Sequence, residues 1–118
     1  GRHRVFGALA GPPSHAVDAG VANLLAQAGV ASSGYELLDA SRGGFGRFDR
    51  ELAQFILDTE RQAGVPLDPI YTAKTMMALR LYVERGYFPA GTRLIFVHTG
   101  GLQGRRAAQG QLQKLIDG

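Results

Sequence analysis

The stretch RVFGALAGPPSHAVDAGVANLLAQAG, residues 4–29, decides the fold class. Its first seven residues are mostly apolar and end at a Gly-Pro-Pro breaker, which favours a short buried strand over a helix. Ser14 is then placed to cap a helix that Gly29 can terminate. The predicted apolar face of this helix comprises Val17, Val21, Leu24, Leu25 and Ala28. A strand followed by a covering helix therefore opens the chain.

The rest of the chain continues this alternation. Residues 35–39, YELLD, predict a second strand, and the glycines of the following SRGGFG permit a compact loop. RLIFVH, residues 93–98, is a nearly continuous apolar run and predicts a third strand, buried on both faces. Three further helices are predicted: one with Phe48, Leu52, Phe55 and Ile56 that ends near Gly64, one with Met76, Leu79 and Val83 that ends at Gly86, and one with Leu112, Leu115 and Ile116.

This order predicts an α/β fold, a three-layer αβα arrangement around a small parallel sheet. We expect residues 1–118 to form a single α/β unit, because no repeat or linker divides them. A sheet of three parallel strands leaves exposed edges. The chain is therefore expected to form part of a larger domain or to pair with another chain.

Composition excludes several classes of function. The chain has no cysteine, so disulfides and thiolate sites are absent and a cytoplasmic location is expected. His3, His15 and His98 lack the spacing of metal ligands, so no metal site is predicted. The net charge of +3 and the absence of a long apolar run predict neither a nucleic-acid surface nor a membrane span.

Few residues indicate catalysis by their local pattern. Asp39, Asp49 and Asp68 lie beside turns, where Asp normally accepts backbone hydrogen bonds, so Asp68 is predicted to be structural. Ser14 and Ser41 have no partner base nearby in the sequence. The only two lysines are Lys74 and Lys114, and both are expected to reach water. The glycine pairs of GGFG and HTGG match no phosphate-binding fingerprint and predict tight turns.

The stretch LDPIYTAKTM, residues 67–76, places two hydroxyl groups at the start of a predicted helix. Asp68 and Pro69 set a turn, and Thr72 is a candidate cap for the helix. These local rules leave open whether Tyr71 and Thr72 belong only to the turn or point into a site. HTGG follows the next predicted strand, at the kind of position where parallel sheets bind ligands.

Residues 65–104, VPLDPIYTAKTMMALRLYVERGYFPAGTRLIFVHTGGLQG, closely resemble the C-terminal part of a pyridoxal-phosphate-dependent family. The family is that of D-cysteine desulfhydrase and 1-aminocyclopropane-1-carboxylate deaminase, which has the tryptophan-synthase-β-like fold, fold type II. The resemblance implies that pyridoxal 5'-phosphate is the cofactor and that the lysine that binds it lies in an earlier portion of the enzyme. It implies further that neither Lys74 nor Lys114 is this lysine and that the chain alone is inactive.

The resemblance also implies roles for four residues. Tyr71 would face the substrate as a catalytic residue, Thr72 would donate a hydrogen bond to the pyridine nitrogen, and Thr99 and Gly100 would lie near the cofactor. The deaminase branch is expected to have Glu and Leu in place of Thr72 and Thr99. The two threonines therefore favour β-elimination of D-cysteine to pyruvate, sulfide and ammonia. Ala73 departs from the glycine that is common in this motif and leaves the substrate preference open.

Two other functions stay open at this point. One is deamination of the cyclopropane substrate, and the other is a non-enzymatic α/β module that binds an anion or a partner through HTGG. The non-enzymatic reading requires a complete sheet without exposed edges. The expected partners of the enzyme are an amino-acid substrate, the N-terminal portion of the protein and, as a homo-oligomer, further copies of the same chain.

Overall fold

The structure, a computed structural model, describes residues 4–11, 15–29, 35–42 and 48–118, with only the backbone described for His15 and Ala16. The predicted Ser14 cap and most of the SRGGFG loop lie outside these residues. No helix within the described ranges has the length and apolar character needed to cross a membrane. The elements in these ranges are β1 (Val5–Leu9), α1 (His15–Gln27), β2 (Tyr35–Asp39), α2 (Arg50–Ala63), α3 (Thr72–Glu84), α4 (Leu102–Ala107) and α5 (Gln109–Asp117).

The two strands pair in parallel, with Val5 opposite Tyr35 and Leu9 opposite Asp39. The helix α1 connects them, so the first part of the chain is a β-α-β unit. Parallel strands need such a crossover, because a tight hairpin can join only antiparallel strands. The α/β class and both strand positions are therefore confirmed.

The apolar face of α1 is only partly covered. Val21 and Leu25 are half-buried, whereas Val17 is 43% exposed and Leu24 is 66% exposed. Neighbouring strands lie about 4.8 Å apart, so a sheet of two strands is only about as wide as one helix, which is about 10 Å across. The predicted helix after the first strand is present, and within the described part of the chain its apolar face is covered only in part.

The core lies among the later helices. The predicted face of α2 is confirmed, since Leu52 and Ile56 are completely buried and Phe48 and Phe55 pack around them. Asp49 caps α2 by accepting a hydrogen bond from the Leu52 N–H at 2.9 Å. Leu67 from the turn before α3 and Leu112, Leu115 and Ile116 from α5 complete this core together with Ala53, Ala73, Met77 and Ala108.

The buried face of α3 differs from the predicted one by about one residue. Met77 and Ala73 lie in the core, while Met76 is only partly buried and Val83 is 49% exposed. Successive helix residues point about 100° apart, so the rotation of the helix start decides which face is buried. The turn at Asp68, described below, fixes that rotation.

The predicted third strand is not formed. Residues 93–98 have no regular secondary structure, and within the described ranges the sheet has two strands. Ile95 is 91% exposed and Val97 is 73% exposed. An apolar run becomes a strand only when neighbours accept and donate its backbone hydrogen bonds. Among the residues that the structure describes, β1 and β2 pair only with each other. The exposed run agrees with the expectation that this chain is part of a larger domain.

Candidate functional site

The turn before α3 is built on the carboxylate of Asp68, which is 3% exposed. Its Oδ1 accepts hydrogen bonds from the backbone N–H groups of Ile70 at 2.9 Å and Tyr71 at 2.7 Å. Its Oδ2 accepts from the Thr72 N–H at 3.0 Å. Asp68 therefore satisfies three backbone donors at the start of the helix, and the prediction of a structural role for Asp68 is confirmed.

Thr72 is the first residue of α3 and is not its cap. Its hydroxyl donates to Asp68 Oδ2 at 2.6 Å and accepts from the Asp68 N–H at 2.9 Å. The side chain of Asp68 thus replaces Thr72 in the predicted capping role, because a carboxylate can accept several bonds at once whereas a hydroxyl has only two lone pairs. Thr72 is 2% exposed, and its proton is directed at the carboxylate.

The environment of Asp68 favours its ionised form. Burial by itself acts to raise the pKa of this carboxyl group, but the hydrogen bonds from the Thr72 hydroxyl and from the N–H groups of Tyr71, Thr72 and Ile70 outweigh it. The pKa of Asp68 is therefore lower than its ordinary value. A negative charge is held in a buried position by hydrogen bonds.

The HTGG segment meets this turn at Gly101. A Cβ atom at position 101 would lie 2.5 Å from Asp68 Oδ2, and Gly101 has a φ of +90°, which side chains other than glycine rarely adopt. Gly104, in α4, also lies close to Asp68, since a Cβ at position 104 would be 3.6 Å from the Asp68 Cβ. Glycine at position 101 therefore permits the two motifs to come together.

His98 forms a second link between the two motifs. Its Nε2 lies 2.7 Å from the carbonyl oxygen of Pro66, and the Gly100 N–H donates to its Nδ1 at 3.1 Å. Nδ1 accepts a hydrogen bond and so carries no proton, which assigns the proton of the neutral ring to Nε2. The backbone N–H of Gly100 is consequently directed at His98.

Lys74 joins α3 to the carboxyl end of β2. The prediction that Lys74 reaches water is wrong, because the side chain is fully buried and its Nζ donates to the carbonyl oxygen of Ser41 at 2.8 Å. Ser41 is itself held by Asp39, whose Oδ1 accepts from both the Ser41 N–H and its hydroxyl. Lys114, by contrast, is exposed on α5, as expected.

The four predicted site residues occupy different environments. Tyr71 is 52% exposed at the start of α3, and its carbonyl oxygen accepts from the backbone N–H of Thr75. Thr99 is exposed, Gly100 is partly exposed, and Thr72 is buried. The contacts that bring their two segments together run through neighbouring residues, from Asp68 to Gly101 and from Pro66 to His98.

Sequence reasoning missed the roles of Asp68 toward Thr72, of Lys74 and of Gly101. The spacing of Asp68 and Thr72, four residues apart across a proline turn, was a usable signal for their mutual hydrogen bonds. No local signal predicted the burial of Lys74 or the close approach at Gly101. Both depend on residues more than thirty positions away in the sequence.

A cavity of about 540 Å³ lies beside the His98 contact and is lined by Glu60, Pro66, Leu102, Arg105, Arg106 and Gln109. Arg105 is 8% exposed and donates to Glu60 at 2.6 Å, so its charge is paired at the wall of this cavity. Within the described ranges, no group of His, Asp and Glu side chains is arranged to hold a metal ion.

Comparisons with known proteins agree with the family resemblance that was based on the LDPIYT and HTGG motifs. The chain is 39% identical over 69 residues to a putative 1-aminocyclopropane-1-carboxylate deaminase of Pyrococcus furiosus, a match that covers 58% of this chain and 20% of the relative. It is 34% identical over 65 residues to a 1-aminocyclopropane-1-carboxylate deaminase of Mesorhizobium japonicum, covering 55% of this chain and 19% of the relative. No family model matches the chain.

The fold is similar to that of a solved structure described as an ACC deaminase homologue. The TM-score is 0.84 at 31% identity, and the match covers 95% of this chain and 35% of that structure's chain. The chain thus spans about a fifth of the length of the curated relatives it matches. Sequence and fold together confirm the resemblance to the 1-aminocyclopropane-1-carboxylate deaminase family.

Proposed function

We propose that this chain is the C-terminal portion of a pyridoxal-phosphate-dependent lyase that acts on a small amino acid. The single observation that carries this proposal is the fold match to the deaminase homologue over 95% of the chain. The direct contact between the LDPIYT and HTGG segments adds support, because the two motifs that carried the resemblance meet in space.

The residues present fit one side of a pyridine cofactor. Tyr71 and Thr99 are exposed next to the meeting point of the two segments, whereas the Thr72 hydroxyl is buried against Asp68. They do not fit the rest of the cofactor, since Lys74 is directed at Ser41 and Lys114 lies on the surface of α5. When bound, the cofactor supplies an electron sink for the carbanion formed at the substrate. In this proposal Tyr71 orients the substrate or transfers a proton with its hydroxyl.

The activity supported best is deamination of 1-aminocyclopropane-1-carboxylate. The relatives and the solved structure carry the name of this enzyme, at identities of 31% to 39%. This reverses the order of preference drawn from Thr72 and Thr99. Elimination of sulfide from D-cysteine stays as the second candidate, because both positions hold a hydroxyl residue where the deaminase branch is expected to have Glu and Leu.

A product assay on the intact protein separates the two activities. Deamination of the cyclic substrate releases 2-oxobutyrate and ammonia, whereas D-cysteine gives pyruvate, sulfide and ammonia. We expect 2-oxobutyrate formation to have the higher kcat/KM. A higher kcat/KM for sulfide release would reverse the assignment, and the absence of both products would contradict the lyase proposal as a whole.

The variant Thr72→Glu connects the choice of substrate to a residue. It introduces the carboxylate expected of the deaminase branch, but it also places that charge next to buried Asp68. Thr72→Gln is the matched control, because it has a similar size without the charge. If Thr72 selects D-cysteine, only the Glu variant should shift the ratio of the two products toward 2-oxobutyrate.

The chain alone is expected to be inactive, since neither of its lysines is proposed to bind the cofactor. Addition of pyridoxal phosphate to the isolated chain should give the absorbance spectrum of the free cofactor. Reduction with borohydride followed by mass spectrometry should then find no cofactor attached at Lys74 or Lys114. A stoichiometric adduct at Lys74 would contradict this part of the proposal.

A non-enzymatic binding module is supported less well. That function required a complete sheet, whereas the described ranges contain a sheet of only two strands, and the apolar residues Ile95 and Val97 are largely exposed.

For the intact enzyme we propose a cytoplasmic location and a homo-oligomeric state. Sedimentation of the intact protein tests the oligomer, and a single species with the mass of one chain would refute it.

A further inference from the structure

We infer that residues 93–98 form a docking surface for an apolar β-strand that belongs to the intact protein and lies outside this chain. The docked portion would pair with the backbone of the run and cover the side chains of Ile95 and Val97. The inference rests on the proposed function in one respect, since it takes the chain as part of a longer protein. It goes beyond that function because it assigns a partner to a surface that no proposed catalytic step uses.

The side chains of this run alternate in exposure, as those of a strand do. Ile95 is 91% exposed and Val97 is 73% exposed, whereas Leu94 is 41% exposed and Phe96 is partly buried. Successive side chains of a strand point to opposite faces. The face with Leu94 and Phe96 is therefore the one that this chain covers in part, and the face with Ile95 and Val97 is the one that it leaves open.

Both ends of the run are fixed, so its exposure is not that of a loose segment. Before the run, the N–H and the hydroxyl of Thr92 both donate to the carbonyl oxygen of Pro89, at 3.1 and 2.6 Å. After it, the Nε2 of His98 lies 2.7 Å from the carbonyl oxygen of Pro66. A segment held at both ends loses less conformational entropy when it pairs with a partner.

The backbone of the run offers unused hydrogen-bonding groups. No backbone hydrogen bond joins residues 93–97 to another described residue, and the sheet in the described ranges consists of β1 and β2. A row of unpaired N–H and C=O groups is a template for another strand. Between Arg93 and His98 the run has no charged residue, so the strand that pairs with it is expected to be apolar.

The partner strand is assigned to the same polypeptide in the intact protein. The fold match covers 95% of this chain but only 35% of the solved homologue's chain, so most of that longer chain lies outside the matched part. This unmatched portion is large enough to supply both a strand and an apolar cover. Pairing between two copies of the run would instead be an edge-to-edge contact of the kind that natural proteins avoid.

Hydrogen exchange of the intact protein, followed by mass spectrometry, tests the pairing. We expect the amides of residues 94–97 to exchange at least about a hundredfold more slowly than in an unstructured peptide, because paired amides exchange only when the strand opens. Exchange at the rate of an unstructured peptide would overturn the inference. Lyase activity measured on the same sample shows separately whether the proposed function stands.

A pair of variants tests the burial of the open face. Ile95→Asp should lower the urea midpoint of the intact protein, because a covered apolar position disfavours a charge, whereas Ile95→Val should lower it much less. Equal midpoints for the two variants would show that Ile95 stays exposed and would contradict the inference. If the Asp variant fails to fold, hydrogen exchange of the wild-type protein decides the question.

A photoreactive benzoylphenylalanine incorporated at position 97 identifies what covers the run. Irradiation of the intact protein should give a crosslink within one polypeptide, with its other end outside residues 1–118. A product with the mass of two polypeptides would show that a second copy covers the run, and a crosslink that ends within residues 1–118 would show that the run folds back on this chain. Either result overturns the inference and leaves the proposed lyase function, which the product assay tests, unaffected.

Discussion

The carboxylate of Asp68 lies directly against Gly101, in the space that a Cβ atom at position 101 would occupy. This contact joins a turn before α3 to the segment before α4, and it brings together the two motifs on which the family resemblance depends. A missing side chain on one residue therefore makes room for the charged side chain of another.

Gly101→Ala is expected to destabilise the protein by about 2 kcal/mol or more, because a Cβ would overlap the Asp68 carboxylate and because the φ of +90° is strained for alanine. Urea denaturation followed by circular dichroism measures this loss. Gly110→Ala is the matched control, since Gly110 lies in α5 with no atoms within 4 Å of its Cβ position. The control should be neutral or up to about 1 kcal/mol more stable.

The protein should lose stability as the pH falls through the pKa of Asp68. The pKa of this group in the folded protein is below its ordinary value of 3.8, so its contribution is fully present above that value and is lost as the carboxylate becomes protonated. Two further carboxyl groups add to this loss of stability at low pH. Backbone hydrogen bonds from Ser41 and Leu52 lower the pKa values of Asp39 and Asp49, respectively.

Asp68→Asn tests this account of the acid slope. It should reduce the dependence of the unfolding free energy on pH between about pH 2 and pH 5 without abolishing it, because the other two carboxyl groups remain. Urea denaturation at a series of pH values provides the measurement. An unchanged slope in this variant would show that Asp68 does not have a lowered pKa.

Lys74→Met should destabilise the protein by about 1–3 kcal/mol, because it keeps most of the aliphatic packing but leaves the buried carbonyl oxygen of Ser41 without this donor. The other lysine of the chain, Lys114, is exposed and therefore serves as the control. Lys114→Met should change the unfolding free energy by no more than about 0.5 kcal/mol. Equal effects of the two variants would refute the structural role of Lys74.

Arg105→Met should cost about 1–3 kcal/mol, because it removes the hydrogen bonds to Glu60 and Gln109 from a nearly buried guanidinium. This expected loss of stability is smaller than for a fully buried ion pair, because the side chain of Glu60 is 40% exposed and solvent screens its charge. Arg106→Met, at the next position and exposed, is the control and should be nearly neutral. Thermal unfolding of both variants measures the difference.

Tyr71→Phe should lower kcat of the intact protein by about 10²- to 10⁴-fold if its hydroxyl transfers a proton to or from the substrate. Tyr82→Phe, farther along the chain in α3, should leave kcat unchanged. Steady-state kinetics with both candidate substrates provides the comparison. A kcat of the Tyr71→Phe variant within about twofold of wild type would remove Tyr71 from the catalytic residues.

Local patterns predicted the elements that are stabilised locally. The strands at 4–10 and 35–39 and the helix with Leu52 and Ile56 appear close to their predicted positions, because breakers, caps and apolar spacing are all encoded nearby. The run at 93–98 has the same composition as a buried strand, yet composition does not supply the neighbouring backbone that a strand requires. Its prediction failed for that reason.

The sequence by itself determined the α/β class, the turn at Asp68 and the resemblance to a family, since each depends on a contiguous motif. Only the tertiary structure decided that Lys74 is buried against Ser41, that Gly101 receives the Asp68 carboxylate, and that the Thr72 proton is directed at Asp68. The physical reason is that burial and the direction of a hydrogen bond depend on which distant segments pack together, and a local pattern does not contain that information.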